Sequence, residues 1–334
     1  MTRSHLFTAS RARKAARIHP LLLLGGIVTA DKHRVVVIGA GHMGTAIIAG
    51  LQEKDAELRV DVVEIAAPRV RLIGERFGIT ARSRYEARPG DTVILAVQPQ
   101  QFEGFAAASP DGVFASEGAL LISVMAGVGI ASMTSLLGTP KVIRAIPNTP
   151  SEVSQGMTVM CCAPAVTEVE AERAEYLLSA VGRVLTVADE TLIDDATALC
   201  GGGPAFVAYL ADGLADFAVK AGFDPAQARL MACQVLRGTA DLMESTGREA
   251  EELCREVMTP GGTTEQGVFH LRERGVRDAL VEALRRSANR SRELGGTGQS
   301  GPRKAAGGGG RPAGTTAAGG LPPTDPTGRS GAKA

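Results

Sequence analysis

The sequence lacks an excess of either charge. Lys plus Arg and Asp plus Glu both number 36, and tryptophan is absent. With no net field there is no electrostatic case for nucleic acid or an anionic membrane surface as a partner. Cysteine is sparse. The five present, Cys161, Cys162, Cys200, Cys233 and Cys254, have no metal-ligand spacing. Adjacent cysteines rarely bridge each other, and an odd number fits free thiols in a reducing cytosol, so a cytoplasmic protein without a metal is expected. No apolar run reaches the length of a membrane span, so no membrane association is expected. No Ser-His-Asp or Cys-His set is apparent either, which leaves a hydrolase reading little support.

Large apolar residues are also missing from the far end. From Gly295 the chain is Gly, Pro, Ala and Thr with almost nothing to bury. Such a segment does not offset its chain entropy, so disorder is expected over 295–334. The near end, "RARKAARIHPLLLLGGIVTA", has a basic front, an apolar centre and a small-residue end, as signal peptides do. Its apolar centre is short and Gly-interrupted, so residues 1–33 are read as an unstructured extension. The fold is expected within 34–294.

Within that span, two halves differ. "RVVVIG" (34–39), "RVDVVEI" (59–65), "DTVILAV" (91–97), "ALLISVM" (119–125) and "KVIRAI" (141–146) are nearly continuous apolar runs, as in strands buried on both faces. Helical stretches at 42–54, 68–77 and 129–137 lie between them. The rhythm is βαβ, hence a Rossmann-like α/β fold with a doubly wound parallel sheet over 34–189. "GMTVMCC" (156–162) and "RVLTV" (183–187), flanking a helix at 167–180, read as further edge strands. From 190 to 294 only helices are expected, at 190–200, 204–221, 225–245, 249–258 and 276–293. "PAFVAYLADGLADFAVKAG" is apolar almost all round, so it belongs in a core or in a subunit interface. An all-α dimerisation domain and a homodimer follow.

The first strand runs into Gly39-x-Gly41-x-x-Gly44, which opens a helix. With both flanks correct, this is a dinucleotide fingerprint. The first glycine permits the tight turn, the second lets a pyrophosphate approach the backbone, and the third lets helix pack on strand. His42 and Met43 lie in the same loop and join it as cofactor-binding candidates. Glu64 ends the second strand, where an acid accepts from adenosine ribose hydroxyls and repels a 2′-phosphate. That leans the cofactor NAD(P)H toward NADH, although Arg69 and Arg71 close by favour a 2′-phosphate. Ala96, Val97, Gln98 and Pro99 end the third long strand, and Ala126 and Gly127 follow the next. Loops at this carboxyl edge line a cofactor crevice.

In the helical half one stretch stands apart: "REVMTPGGTTEQGVFHL", Arg255 to Leu271. It reads as a helix-to-helix turn or as a substrate cradle made of backbone N–H groups and a hydroxyl. His270 is the only histidine in this half, and a lone histidine is more often structural than catalytic.

Across 34–294 the chain resembles the pyrroline-5-carboxylate reductase family. The resemblance rests on "VIGAGHMGTAIIAGL", "LAVQPQ", "VIRAIPNTP", "GGGPAFVAYLADGLADFAVKAG" and "TPGGTTEQG", in the family's order. It implies a Rossmann domain, a helical dimerisation domain, dimers that often assemble into rings, and NAD(P)H-dependent reduction of a cyclic imino acid to L-proline. It implies that Thr264 contacts the substrate ring nitrogen as the catalytic residue. Thr259, Gly262 and Thr263 match the segment that receives the substrate carboxylate. The chemistry agrees. A protonated imine is already a good hydride acceptor, so a neutral hydroxyl suffices to orient it.

The chain departs from the family pattern in places. Cys200 and Gly202 stand where serines are common, Gln98 where a lysine is usual, and His42 where an asparagine is usual. These changes bear on cofactor choice and substrate. Two alternatives are a related reductase for another cyclic imino acid and a non-catalytic dinucleotide-binding sensor.

Overall fold

The computed structural model describes residues 34–294 except positions 111, 116 and 117. The expected N-terminal extension and C-terminal tail lie outside the described residues.

The seven strands are β1 (Val35–Ile38), β2 (Val60–Val63), β3 (Thr92–Leu95), β4 (Leu120–Ser123), β5 (Val142–Ile146), β6 (Gly156–Cys162) and β7 (Gly182–Val187). They form a single sheet in the order β2-β1-β3-β4-β5-β6-β7. β1, β3, β4 and β5 are mostly aliphatic, fully buried runs of the kind that fits a doubly covered parallel sheet, whereas β7 has no buried residue. Alternation sends Val35 and Val37 to one face and Val36 and Ile38 to the other.

On the first face, α1 (His42–Lys54), α2 (Ala67–Phe77) and α5 (Glu168–Leu178) contribute Ile47, Ile48, Leu51, Ile73 and Leu177. On the second, α3 (Phe102–Ala108) and α4 (Ile130–Leu137) contribute Phe102, Met133 and Leu137. Helices on both faces make the sheet doubly wound, as expected. Helix α3 is not anticipated by the sequence pattern, because "FEGFAAA" has too little polar contrast to mark a helical period.

One pairing departs from the parallel expectation. β5 and β6 are antiparallel, with Ile143 opposite Cys162, whereas β6 and β7 are parallel. β5 and β6 are joined through a short 3-10 turn, Thr149–Val153. A parallel crossover needs roughly a dozen residues or more, so this link permits only reversal.

After Val187 the chain is helical: α6 (Thr191–Ala196), α7 (Gly203–Lys220), α8 (Pro225–Thr246), α9 (Ala250–Val257), α10 (Thr263–Glu273) and α11 (Val276–Leu294). A π-helical turn, Thr197–Gly201, joins α6 to α7. Helix α8 starts with Asp224 and Gln227 in a reciprocal cap and Pro225 in its first turn, and ends on a left-handed Gly247. Because α6, the π turn and α7 run on as one helix, Thr191–Lys220 is long and apolar enough to cross a membrane by length and composition. The sequence pattern, broken at the glycine run, does not reveal that length.

Helix α7 buries only Ala218, and α8 only Ala228 and Ala232. Tyr209 is 80% exposed, Phe217 74% and Leu230 68%. Of the two places expected for the α7 segment, the core of the protomer is not where it lies.

Candidate active site

The crevice of an open α/β sheet lies at the carboxyl edge where strand order switches sides. Here that point falls between β1 and β3, since β1 is flanked by β2 and β3. The turn from β1 into the start of α1 carries the three glycines, each under a different constraint. Gly39 adopts φ 94°, and a Cβ there would come within 2.8 Å of the Ala96 carbonyl oxygen. A Cβ on Gly44 would lie 2.0 Å from the Gly39 carbonyl oxygen, so only glycine lets α1 sit this close to β1. A Cβ on Gly41 would have nothing within 4 Å. That open space leaves room for a pyrophosphate to approach the backbone. Gly41 is also the N-cap of α1 and no side chain caps the helix. Its first-turn N–H groups, at His42 and Met43, are therefore suited to receive an anion, with the helix dipole behind them. The His42 imidazole pairs with Glu152 in the 3-10 turn after β5. These residues fit a dinucleotide.

The neighbouring loops assemble on the same edge. The Ala96 N–H donates to the Ile38 carbonyl at 2.8 Å, and the Val124 N–H to the Leu95 carbonyl at 3.1 Å. Ala96, Val97, Gln98 and Pro99 thus lie beside the glycine loop, with Ala126 and Gly127 next along. Gln98 and Ala126 are exposed, and Gly127 takes a positive φ of 74°.

Glu64 differs from its expected role. Its side chain points inward and the residue is 7% exposed. Oε2 accepts the Ala40 N–H at 2.9 Å, and Oε1 accepts the N–H groups of Ile65 and Ala66, both at 2.8 Å. Arg69 Nη1 stands 3.5 Å from Oε2. Burial alone would raise this carboxyl, but the three N–H donors and Arg69 outweigh it and hold it below the usual carboxylate range. A carboxylate occupied in this way is not the free acceptor on which the lean to NADH rests.

The Thr259–Thr264 turn leads into α10. The Gly262 N–H closes the turn on the Thr259 carbonyl at 2.8 Å, and the Gly261 N–H donates to Glu265 Oε2 at 2.7 Å. A Cβ on Gly262 would meet Thr259 Oγ1 at 2.3 Å, and Gly261 has φ 73°. Both glycines are therefore demanded by the turn itself. The Gly262 N–H is spent inside it, so what this residue gives the segment is the shape of the turn. Gly262 caps α10 without a side-chain bond, leaving first-turn N–H groups, those of Thr263 and Thr264 among them, as open donors. Both threonines are exposed, and α10, which buries no residue, packs on α11. The cofactor-edge residues are brought together in the protomer. The Thr259–Thr264 turn belongs to a separate helical layer.

Two joints were not found from the sequence. Asn148, next after the proline of "IPNTP", donates from Nδ2 to the Cys200 carbonyl at 3.0 Å and accepts the Met157 N–H at 2.9 Å. It therefore holds the π turn that opens α7. Arg144 in β5, 3% exposed, bonds Asp194 at 2.8 Å and Glu190 at 3.2 Å. Glu190 Oε1 also accepts the Ile130 N–H at 2.8 Å, at the start of α4 just beyond Ala126 and Gly127. No spacing rule links residues so far apart in the chain. Burial pushes the Cys200 thiol up, so this departure from the family serine is a neutral thiol.

Residues 190–294 match the family model described as pyrroline-5-carboxylate reductase dimerisation. Residues 34–127 match the model described as NADP oxidoreductase, coenzyme F420-dependent. A pyrroline-5-carboxylate reductase from Synechocystis sp. is 34% identical over 272 residues, which are 78% of this chain and 97% of the relative. The solved structure of a pyrroline-5-carboxylate reductase from Coxiella burnetii superposes with a TM-score of 0.71 at 29% identity, covering 79% of this chain and 99% of that one. The NADP-bound pyrroline carboxylate reductase of Plasmodium falciparum shares the fold, with a TM-score of 0.70 at 22% identity over 79% of this chain and 98% of that one.

Proposed function

The chain belongs to the pyrroline-5-carboxylate reductase family, and from that premise we propose that it reduces 1-pyrroline-5-carboxylate to L-proline, its residues dividing the work between the sheet edge and α10. It is an oxidoreductase acting on a C=N bond with a nicotinamide cofactor. The observation that carries the site assignment is the uncapped start of α10, where the Thr264 hydroxyl stands with the open first-turn N–H groups.

When bound, the reduced nicotinamide supplies the hydride. Gly39, Gly41 and the first turn of α1 receive the pyrophosphate, with Gly44 keeping that helix close to β1. Ala96 to Pro99, Ala126 and Gly127 line the nicotinamide side. The Thr263 and Thr264 N–H groups hold the substrate carboxylate at the positive end of α10. The Thr264 hydroxyl accepts from the protonated ring nitrogen, orienting the imine carbon and settling charge as the nitrogen becomes an amine. No strong acid is required, because the imine arrives protonated. The neutral Cys200 thiol is consistent with a packing role at the π turn.

The exposed apolar faces of α7 and α8 support a homodimer through the helical layer, and rings of such dimers are the larger assembly we infer. That pairing also covers the apolar length of Thr191–Lys220 without a membrane. Five free thiols favour the cytoplasm.

Steady-state reduction of 1-pyrroline-5-carboxylate with NADPH and with NADH tests this reading. Turnover that falls roughly a hundredfold in Thr264→Ala is the expected result. Wild-type turnover in that variant would remove Thr264 from its role, and cofactor binding without turnover on five- or six-membered cyclic imines would make the protein a sensor instead.

A further inference from the structure

We propose that Glu64 is a positioning residue that braces the pyrophosphate loop, and that it does not select between the two nicotinamide cofactors. The inference rests on the dinucleotide reading above and adds a role that this reading leaves open.

A carboxylate offers about four acceptor positions, two on each oxygen. On Glu64, Oε1 is filled by the Ile65 and Ala66 N–H groups, each at 2.8 Å. Oε2 holds the Ala40 N–H at 2.9 Å and faces Arg69 at 3.5 Å. The ribose diol needs a pair of free acceptors; with three of the four positions hydrogen-bonded and the last facing Arg69, that pair is not left. The side chain is 5% exposed, so solvent and ligand reach little of it.

The three donors show what the carboxylate does instead. Ala40 lies between Gly39 and Gly41, at the centre of the loop that would receive the pyrophosphate. Ile65 and Ala66 lead into α2, with Ala66 as its N-cap. One side chain thus ties the turn after β1 to the turn after β2, next to the Gly39 N–H bond to the Val63 carbonyl at 2.9 Å. The brace fixes where α1 presents its free N–H groups, and both cofactors share that contact. Its charge is already met by three N–H dipoles and a guanidinium, so little negative field remains to oppose a 2′-phosphate.

The test measures binding, not turnover. NADH and NADPH are titrated by fluorescence into the full-length protein and into Glu64→Gln. Both affinities should fall by the same factor, about tenfold, leaving their ratio within twofold of the wild type. A tenfold change in the ratio, with NADH losing and NADPH kept or gained, would overturn the proposal. Amide hydrogen exchange on the cofactor-free wild type supplies an arm that needs no folded variant. The brace requires slow exchange at Ala40, Ile65 and Ala66, and fast exchange at all three would overturn it. A wild type that binds neither cofactor would count against the proposed reductase activity, while the exchange result still decides the brace.

Discussion

Gly41 and Gly44 are the same residue type three positions apart, yet they answer to different forces. Gly44→Ala would drive a methyl into the Gly39 carbonyl, so we expect a stability loss of about 3 kcal/mol in chemical denaturation. Gly41→Val meets open space and should denature close to wild type, while its cofactor affinity, read by titration, falls at least about tenfold. A Gly41→Val protein with unchanged affinity would show that the pyrophosphate does not lie there. Glu64 carries a pH signature. Its folded value lies below its unfolded one, so its contribution is present above the unfolded value and is lost as pH falls through the folded one. The stability gap between wild type and Glu64→Gln, measured by urea denaturation across pH, should therefore narrow below the ordinary carboxylate range. The fingerprint itself is legible in sequence because glycine spacing reports local backbone need. The direction in which Glu64 points is not, because it depends on N–H groups gathered from two turns.

Elements meet at joints that carry much of the order of the site. Arg144 on β5 is held between Glu190, whose other bond starts α4, and Asp194 on α6, which also accepts from Ser291 of α11 at 3.0 Å. Removing the guanidinium leaves Asp194 buried without its cation. Arg144→Ala should cost about 3 to 5 kcal/mol by denaturation, far more than a typical surface change. Asn148 plays a similar part for the π turn, and both lie in "VIRAIPNTP", a strand and its end whose family match assigns neither side chain a role. The helices and strands themselves were largely legible, since apolar period and caps are local properties. α3 and the reversal of β6 were not, the first for want of polar contrast and the second because strand direction follows from the connection.

At the scale of the molecule, the sheet half completes its own core while α7 and α8 do not. Tyr209 and Phe217, at 80% and 74% exposure, are large rings left in water by a single protomer. Burying a side chain of this size contributes roughly 1.5 to 3 kcal/mol, so a second copy gains considerably by covering them. Phe217→Asp should shift the protein toward monomer in sedimentation velocity, with reductase activity falling alongside. A dimer unchanged by that substitution would move the interface off this face.

The sequence by itself determined the alternation of strand and helix, the phosphate-loop glycines and the identity of the turn at Thr259 to Thr264. Each is written in spacing over a few residues, where backbone sterics and burial period act. Only the tertiary structure decided that Glu64 spends its carboxylate inward and that Arg144 joins the sheet to the helices. These outcomes depend on which donors and acceptors the fold brings within 3 or 4 Å of one another, at about hydrogen-bond reach, and no local pattern encodes that.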